Sequence, residues 1–191
     1  MLRLAYADPP YLGNCKLYDH FHGVHGDHGD GGCWDDLATH SWLIDSLCLK
    51  FPDGWAMSLS SPSLRSILPL VPADARVAAW VKTFCAFKRN VRPAYAWEPV
   101  VFWRGRNPGS GFSHPPPVLG GEQTTPKDFL AEPISLKKGL TGAKPERFCR
   151  WVLDLLNVQP GDEVVDVFPG TGVMDRVCKE RLCALGLTPV V

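Results

Sequence analysis

The segment that most restricts the fold is Glu163-Val164-Val165-Asp166-Val167-Phe168, which runs without a spacer into Pro169-Gly170-Thr171-Gly172 and then into a helical pattern reaching about Leu185. A short, valine-rich apolar run suits a strand buried on both faces. A strand closed by a glycine turn and a helix is half of a β-α-β unit, and parallel neighbours can be joined only through such crossovers. The chain is thereby committed to a sheet covered by helices.

The same alternation recurs towards the N-terminus. Leu2 to Tyr6 is a strand-like apolar run stopped by Asp8-Pro9-Pro10, because the prolines end regular pairing. After a loop from Gly13 to Gly32, residues Leu37, Ile44, Leu47, Cys48 and Phe51 fall at helical spacing. Gly54 to Leu59 predicts a second strand, Ser63 to Leu70 a short helix, Arg76 to Val81 a third strand and Pro99 to Trp103 a further apolar strand. Pro145 stands at the first position of a helix whose apolar face is Phe148, Trp151, Val152, Leu155 and Leu156. Strands alternating with helices give an α/β, Rossmann-like sheet with ligands at the carboxyl ends of the strands. Asp8-Pro9-Pro10-Tyr11 and Gly170-Thr171-Gly172 then share that edge.

Length and composition, 191 residues with 45% hydrophobic, support one domain over residues 1–191, in which the Gly- and Pro-rich stretch 104–142 is an insertion with no regular element from Gly105 to Gly121. Lysine plus arginine equals aspartate plus glutamate at 20 each, so any nucleic-acid face must come from local clustering. Seven scattered cysteines without a Cys-x-x-Cys pair speak against a zinc ribbon or disulfide framework. No apolar run is long enough to span a bilayer, and the N-terminus meets Asp8-Pro9-Pro10 before a secretory segment can form, so an intracellular, cytoplasmic protein is expected.

The two turns differ in what they tell. Gly170-x-Gly172 lets backbone approach a ligand and opens a helix whose first N–H groups suit an anion, yet alone it reads more readily as a plain tight β-α turn. Asp166 changes the balance, since a carboxylate there attracts an ammonium group and repels a phosphate. A zwitterionic amino-acid cofactor fits better than a dinucleotide. Asp8-Pro9-Pro10-Tyr11 is suited to an exocyclic amino group, whose lone pair is delocalised into its ring. The Asp8 carboxylate and the Pro9 carbonyl would each accept one N–H and draw that lone pair out, on a loop stiffened by Pro9 and Pro10. Tyr11 would stack on an extruded base, a contact worth about 1–3 kcal/mol.

With these two motifs in this order, the chain resembles the DNA amino-methyltransferases of the permuted beta type. Asp8-Pro9-Pro10-Tyr11 is similar to the family's catalytic motif, and Asp166-Val167-Phe168-Pro169-Gly170-Thr171-Gly172 to its Asp-Pro-Phe-x-Gly-x-Gly cofactor motif, departing at Val167. Lys144-Pro145-Glu146-Arg147-Phe148 is similar to the Lys-Pro segment lining the methionine pocket, and Trp80-x-Lys82 and Tyr95-x-x-Glu98 are similar more weakly. The resemblance implies a Rossmann-like class I methyltransferase sheet with one antiparallel strand, base flipping, and S-adenosyl-L-methionine as cofactor, bound by Lys144, Pro145, Phe148, Asp166, Phe168, Gly170, Thr171 and Gly172. Aspartate in the first motif position leans towards N6-adenine in DNA; N4-cytosine is the alternative, and a catalytically inactive binding protein of the same fold a third reading.

The family continues beyond the glycine turn with strands that carry an acid for the ribose hydroxyls, whereas Val173 to Val191 alone follows here. The expectation is a sheet lacking edge strands, its open edge covered by a homodimer or a partner chain. Arg104 to Gly142 is the expected target-recognition segment. Lys82, Lys88, Arg89, Arg104 and Arg106, with Arg92, Lys127, Lys137 and Lys138 nearby in sequence, form the expected phosphate-contacting set. His20, His22, His25 and His28, with Asp27, Asp30 and Cys33, match no zinc spacing and read as a loop closing over the base or touching DNA, so no metal is expected.

Overall fold

The computed structural model describes residues 1–14, 34–85, 91–107, 125–135 and 142–183. Its strands are β1 (Arg3–Ala7), β2 (Gly54–Ser58), β3 (Arg76–Val81), β4 (Trp97–Arg104), β5 (Phe129–Ala131) and β6 (Glu163–Asp166). They form one sheet in the order β5-β3-β4-β2-β1-β6. β1 pairs in parallel with β2 and β6, and β3 with β5, while β4 runs antiparallel to both of its neighbours, β2 and β3. All strands except β4 therefore point the same way, the α/β Rossmann-like arrangement expected from the sequence.

Alternation along the central strands β1, β2 and β4 buries both faces of the sheet. Leu4 and Tyr6 of β1, Ala56 of β2, Ala78 and Trp80 of β3 and Val100 and Phe102 of β4 share one core with Phe148, Val152, Met174 and Val177. These last belong to α3 (Glu146–Leu155) and α4 (Val173–Cys183). The intervening residues Ala5, Ala7, Trp55, Met57, Val101 and Trp103 join Leu43, Ile44, Leu47 and Ile67 on the other face, from α1 (Leu37–Lys50) and α2 (Leu64–Ile67). Each large side chain so enclosed contributes about 1.5–3 kcal/mol. Asp36 caps α1 by accepting from the Ala38 N–H at 3.0 Å.

Several boundaries differ from the sequence expectation. Pro145 is the cap rather than the first residue of α3, its extended backbone (ψ 149°) placing it outside the helix. β6 ends at Asp166 rather than Phe168, because the Phe168 N–H turns back to the Asp166 carboxylate at 3.3 Å. Within the 104–142 stretch, Arg104 closes β4, and Phe129–Ala131 adds a strand not expected from the sequence, paired with β3 at the sheet edge. Only Leu130 of that strand is buried, so three residues carry no readable alternation. The histidine loop, Lys88, Arg89 and the residues after Cys183 lie outside the described residues. Among the described residues no helix is long and apolar enough to cross a membrane, and no group of three or more His, Cys, Asp or Glu could hold a metal.

Candidate active site at the carboxyl edge of the sheet

The register of β1 against β6, Ala5 opposite Val165 and Tyr6 opposite Asp166, brings the two sequence motifs together. Asp8 leaves the sheet just after β1, and the turn of Pro169 to Gly172 leaves it just after the adjacent β6. Pro9 and Pro10 are buried, and the loop is pinned further on by the Gly13 N–H donating to Asp35 at 2.8 Å and the Asn14 N–H to the Tyr11 carbonyl at 2.9 Å. The segment that holds Asp8 is thereby restrained on both sides.

Four elements converge on Asp8. Lys144, two residues before α3, brings its ammonium to 2.9 Å from Asp8 Oδ1 and 3.4 Å from Glu98 Oε2, and donates to the Tyr11 hydroxyl at 2.8 Å. That hydroxyl lies 3.1 Å from Asp8 Oδ1 and 3.0 Å from Glu98 Oε2; having one proton, it serves one carboxylate at a time. Glu98, at the start of β4, is also bridged by Lys82 at 2.5 Å. The rings of Tyr11, Phe148 and Trp80 stand 5.3, 5.8 and 5.9 Å from the Lys144 ammonium, within cation–π range.

The two carboxylates are tuned apart. Burial pushes the Asp8 carboxyl above the usual aspartate range and Glu98 adds to this, outweighing the Lys144 ammonium and the Tyr11 hydroxyl. Glu98 is also disfavoured by burial, but Lys144 and Lys82 together hold it below its ordinary value. The two carboxyls are thus shifted in opposite directions, Asp8 up and Glu98 down.

In the second turn, Gly170 and Gly172 have φ of 46° and 69°, a region that only glycine enters readily. A Cβ on Gly172 would meet nothing within 4 Å and one on Gly170 only the Phe168 carbonyl at 3.7 Å, so the glycines answer to backbone conformation and leave open room beside the turn. Thr171 is exposed, and Phe168 is buried edge-on against Trp34 at 5.3 Å. Asp166 is pushed up to about 7 by burial, with Asp175 and Asp8 adding to the shift and the Phe168 N–H opposing it. A half-buried carboxyl so disfavoured gains from a cation, and these residues fit the ammonium-bearing end of an amino-acid cofactor.

Phe148 is fully buried, packed between Tyr6, Trp80 and Trp151 at 5.1–6.2 Å, so its ring supports the site from within the core. Lys144 directs its ammonium to Asp8 and Glu98. Neither Glu98 nor Trp80 is more than weakly visible in the sequence. The signal for Glu98 is a carboxylate at the head of a strand otherwise apolar through Trp103.

The basic residues expected to form one phosphate face are divided between opposite edges. Lys82 follows β3 and lies on the Asp8 edge. Arg104 pairs with Gly54, the first residue of β2, and is therefore on the far edge, where its guanidinium stacks 4.1 Å from the Trp103 ring and donates to the Pro52 carbonyl. Arg106 bridges Asp162 at 2.6 Å just before β6, also on the far edge. Asp162, buried, further accepts from the Leu2 and Gln159 N–H groups at 2.8 and 2.9 Å. On the Asp8 edge, the β3–β4 connection instead exposes Phe84, Tyr95 and Trp97 beside Lys82.

The fold and this edge are those of a class of Rossmann-like α/β proteins in which one strand is reversed. No protein-family model matches the chain, and a comparison with curated protein sequences gives no match. Among solved structures, the crystal structure of the M1.HpyAVI–SAM complex is similar over 94% of this chain and 78% of its own, with a TM-score of 0.52 and 18% identity. The crystal structure of M1.HpyAVI is similar over 95% of this chain and 78% of its own, with a TM-score of 0.50 and 17% identity. At such identity the likeness is one of fold.

Proposed function

We propose that the chain is an S-adenosyl-L-methionine-dependent DNA methyltransferase that modifies the exocyclic amino group of a flipped base, N6 of adenine in preference to N4 of cytosine. The observation that carries this reading is the juxtaposition of Asp8-Pro9-Pro10-Tyr11 and Gly170-Thr171-Gly172 at the ends of paired parallel strands. The likeness in fold to the M1.HpyAVI–SAM complex agrees with it.

S-adenosylmethionine, when bound, supplies a sulfonium methyl group. Asp166 would hold its ammonium, and the Gly170–Gly172 turn, with Thr171, gives the room for close approach. Asp8 accepts one N–H of the target amino group and the Pro9 carbonyl the other, localising the nitrogen lone pair. The amino nitrogen that receives the methyl group must lose a proton, and Asp8, whose carboxyl is raised by burial, would accept it and pass it to solvent. Tyr11 offers the stacking face, and exposed Phe84, Tyr95 and Trp97 near Lys82 give an aromatic and basic surface for the flanking strand.

The motif order implies the permuted beta type, working inside the cell where DNA and cofactor are found. Among the described residues β6 pairs on one side only, with β1, and a second copy or partner chain covering its other edge belongs to the same reading. Nucleoside mass spectrometry of DNA from cells expressing the protein tests it. N6-methyladenine above background, abolished by Asp8→Ala, is the expected result; N4-methylcytosine would select the other base, and neither product from folded protein with cofactor supplied would refute the enzyme reading.

A further inference from the structure

The Lys144 ammonium sits in a compartment made for an amine. Two carboxylates, Asp8 and Glu98, and one hydroxyl, Tyr11, stand 2.8–3.4 Å from it, and the Tyr11, Trp80 and Phe148 rings surround it, leaving the side chain 9% exposed. Phe148 apart, these groups come from the β1 loop, β3 and β4, so the compartment is largely a product of the fold and not of the segment carrying Lys144. Anionic oxygens backed by aromatic faces are the general chemistry of amine recognition.

Asp8 is also the carboxylate that the proposed function assigns to the amino group of the base. Asp8 Oδ1 already faces both the Lys144 ammonium at 2.9 Å and the Tyr11 hydroxyl at 3.1 Å, so a base N–H directed to that oxygen competes with them for its two acceptor positions. We infer that Lys144 is an internal stand-in for the substrate's amino group, and that base entry is an exchange in which the ammonium leaves Asp8 for Glu98. The inference rests on that reading of Asp8. It makes Glu98 a positioning residue: already 3.4 Å from the ammonium and held anionic by Lys82, it provides the second berth. While the site waits, Asp8 is neutralised; once the base arrives, the departing cation restores its acceptor strength. The arrangement favours ligands bringing an N–H donor of their own.

The test uses Lys144→Ala, which vacates the compartment, and n-butylammonium chloride as probe. The expected result is a rise of about 2–4 °C in the Tm of the variant at saturating probe. Wild type, the Asp8→Asn/Lys144→Ala double variant, and n-butanol in place of the ammonium salt should give no shift. In methyl transfer to unmethylated genomic DNA, butylammonium should raise the KM of Lys144→Ala for DNA, competing with it.

A second arm reads the berth. Glu98→Gln should raise KM for DNA about tenfold, more than it lowers kcat, because Lys144 then stays on Asp8. In Lys144→Met, which keeps the apolar stem and serves if Lys144→Ala does not fold, the same Glu98→Gln change should no longer raise KM. A folded Lys144→Ala protein without a probe-dependent shift, inhibition not competitive with DNA, or a KM rise that persists in Lys144→Met would each overturn the exchange, even with a wild type that methylates DNA. A probe-dependent shift alongside a wild type that methylates no DNA would instead overturn the base-methylation reading, and the base as displacing amine with it.

Discussion

Tyr6 and Asp166 stand opposite each other in the parallel pairing of β1 with β6. Two residues beyond Tyr6 lies Asp8, and four beyond Asp166 lies Gly170, so an amine-directed carboxylate and a glycine turn emerge side by side from adjacent strands. Sites at strand carboxyl ends owe their precision to such pairing, because the ladder fixes both exits to within the tolerance of a hydrogen bond.

Asp8→Asn keeps the size of the side chain but removes its charge and part of its acceptor capacity. Methyl transfer is expected to fall about 10²–10³-fold, with cofactor affinity changed by no more than a small factor, as measured by tritium incorporation and calorimetry.

Asp166 gives the sign of a pH dependence. Its pKa of about 7 in the folded protein, against the ordinary aspartate value of 3.8, means that the folded chain holds a proton the unfolded chain has lost throughout that interval. This group therefore destabilises the cofactor-free protein above pH 7, and the penalty is relieved as pH falls towards 4. An ammonium-bearing ligand needs the carboxylate, so its affinity should fall about tenfold per pH unit below about 7. Asp166→Asn should flatten both dependences, read by calorimetry and thermal melts between pH 5 and 8.

Tyr11 separates stacking from hydrogen bonding. Tyr11→Phe retains the ring and loses the hydroxyl shared by Asp8, Glu98 and Lys144, while Tyr11→Ala loses both. Tyr11→Ala should weaken binding to DNA by about 1–3 kcal/mol and Tyr11→Phe by much less, in fluorescence anisotropy at fixed salt.

Arg106 is expected to be a stability residue. Arg106→Ala leaves the buried Asp162 carboxylate without its guanidinium partner and should cost about 1–3 kcal/mol in urea unfolding. Because it lies on the edge remote from Asp8, DNA affinity of the folded variant should be unchanged.

The parts of this molecule legible in its sequence are those where local chemistry and tertiary role coincide. The β6–turn–α4 unit, the Asp8-Pro9-Pro10 exit and the apolar face of α3 can be read because their periodicity, prolines and glycines each restrict the backbone. β5 could not be, since three residues with one buried side chain offer no period. Lys144 and Glu98 stand out by motif, but not as partners of Asp8. Glu98 lies 90 positions downstream and Lys144 a further 46, and nothing along the chain says that β4 is reversed and delivers its first residues to the Asp8 edge. Arg106 illustrates the converse: an arginine in a glycine-rich stretch reads as a free cation until the fold supplies Asp162.

The reversal of β4 has a practical meaning for redesign. It makes the β3–β4 connection a hairpin whose two feet, Lys82 and Glu98, are bridged to each other, with Phe84, Tyr95 and Trp97 exposed between them. Such a hairpin behaves as a replaceable cartridge: between feet clamped by a charge pair, its length and content can be exchanged without moving the parallel strands that aim Asp8. Grafting at this point is the route by which the molecule could be given a new reading preference at the smallest structural cost.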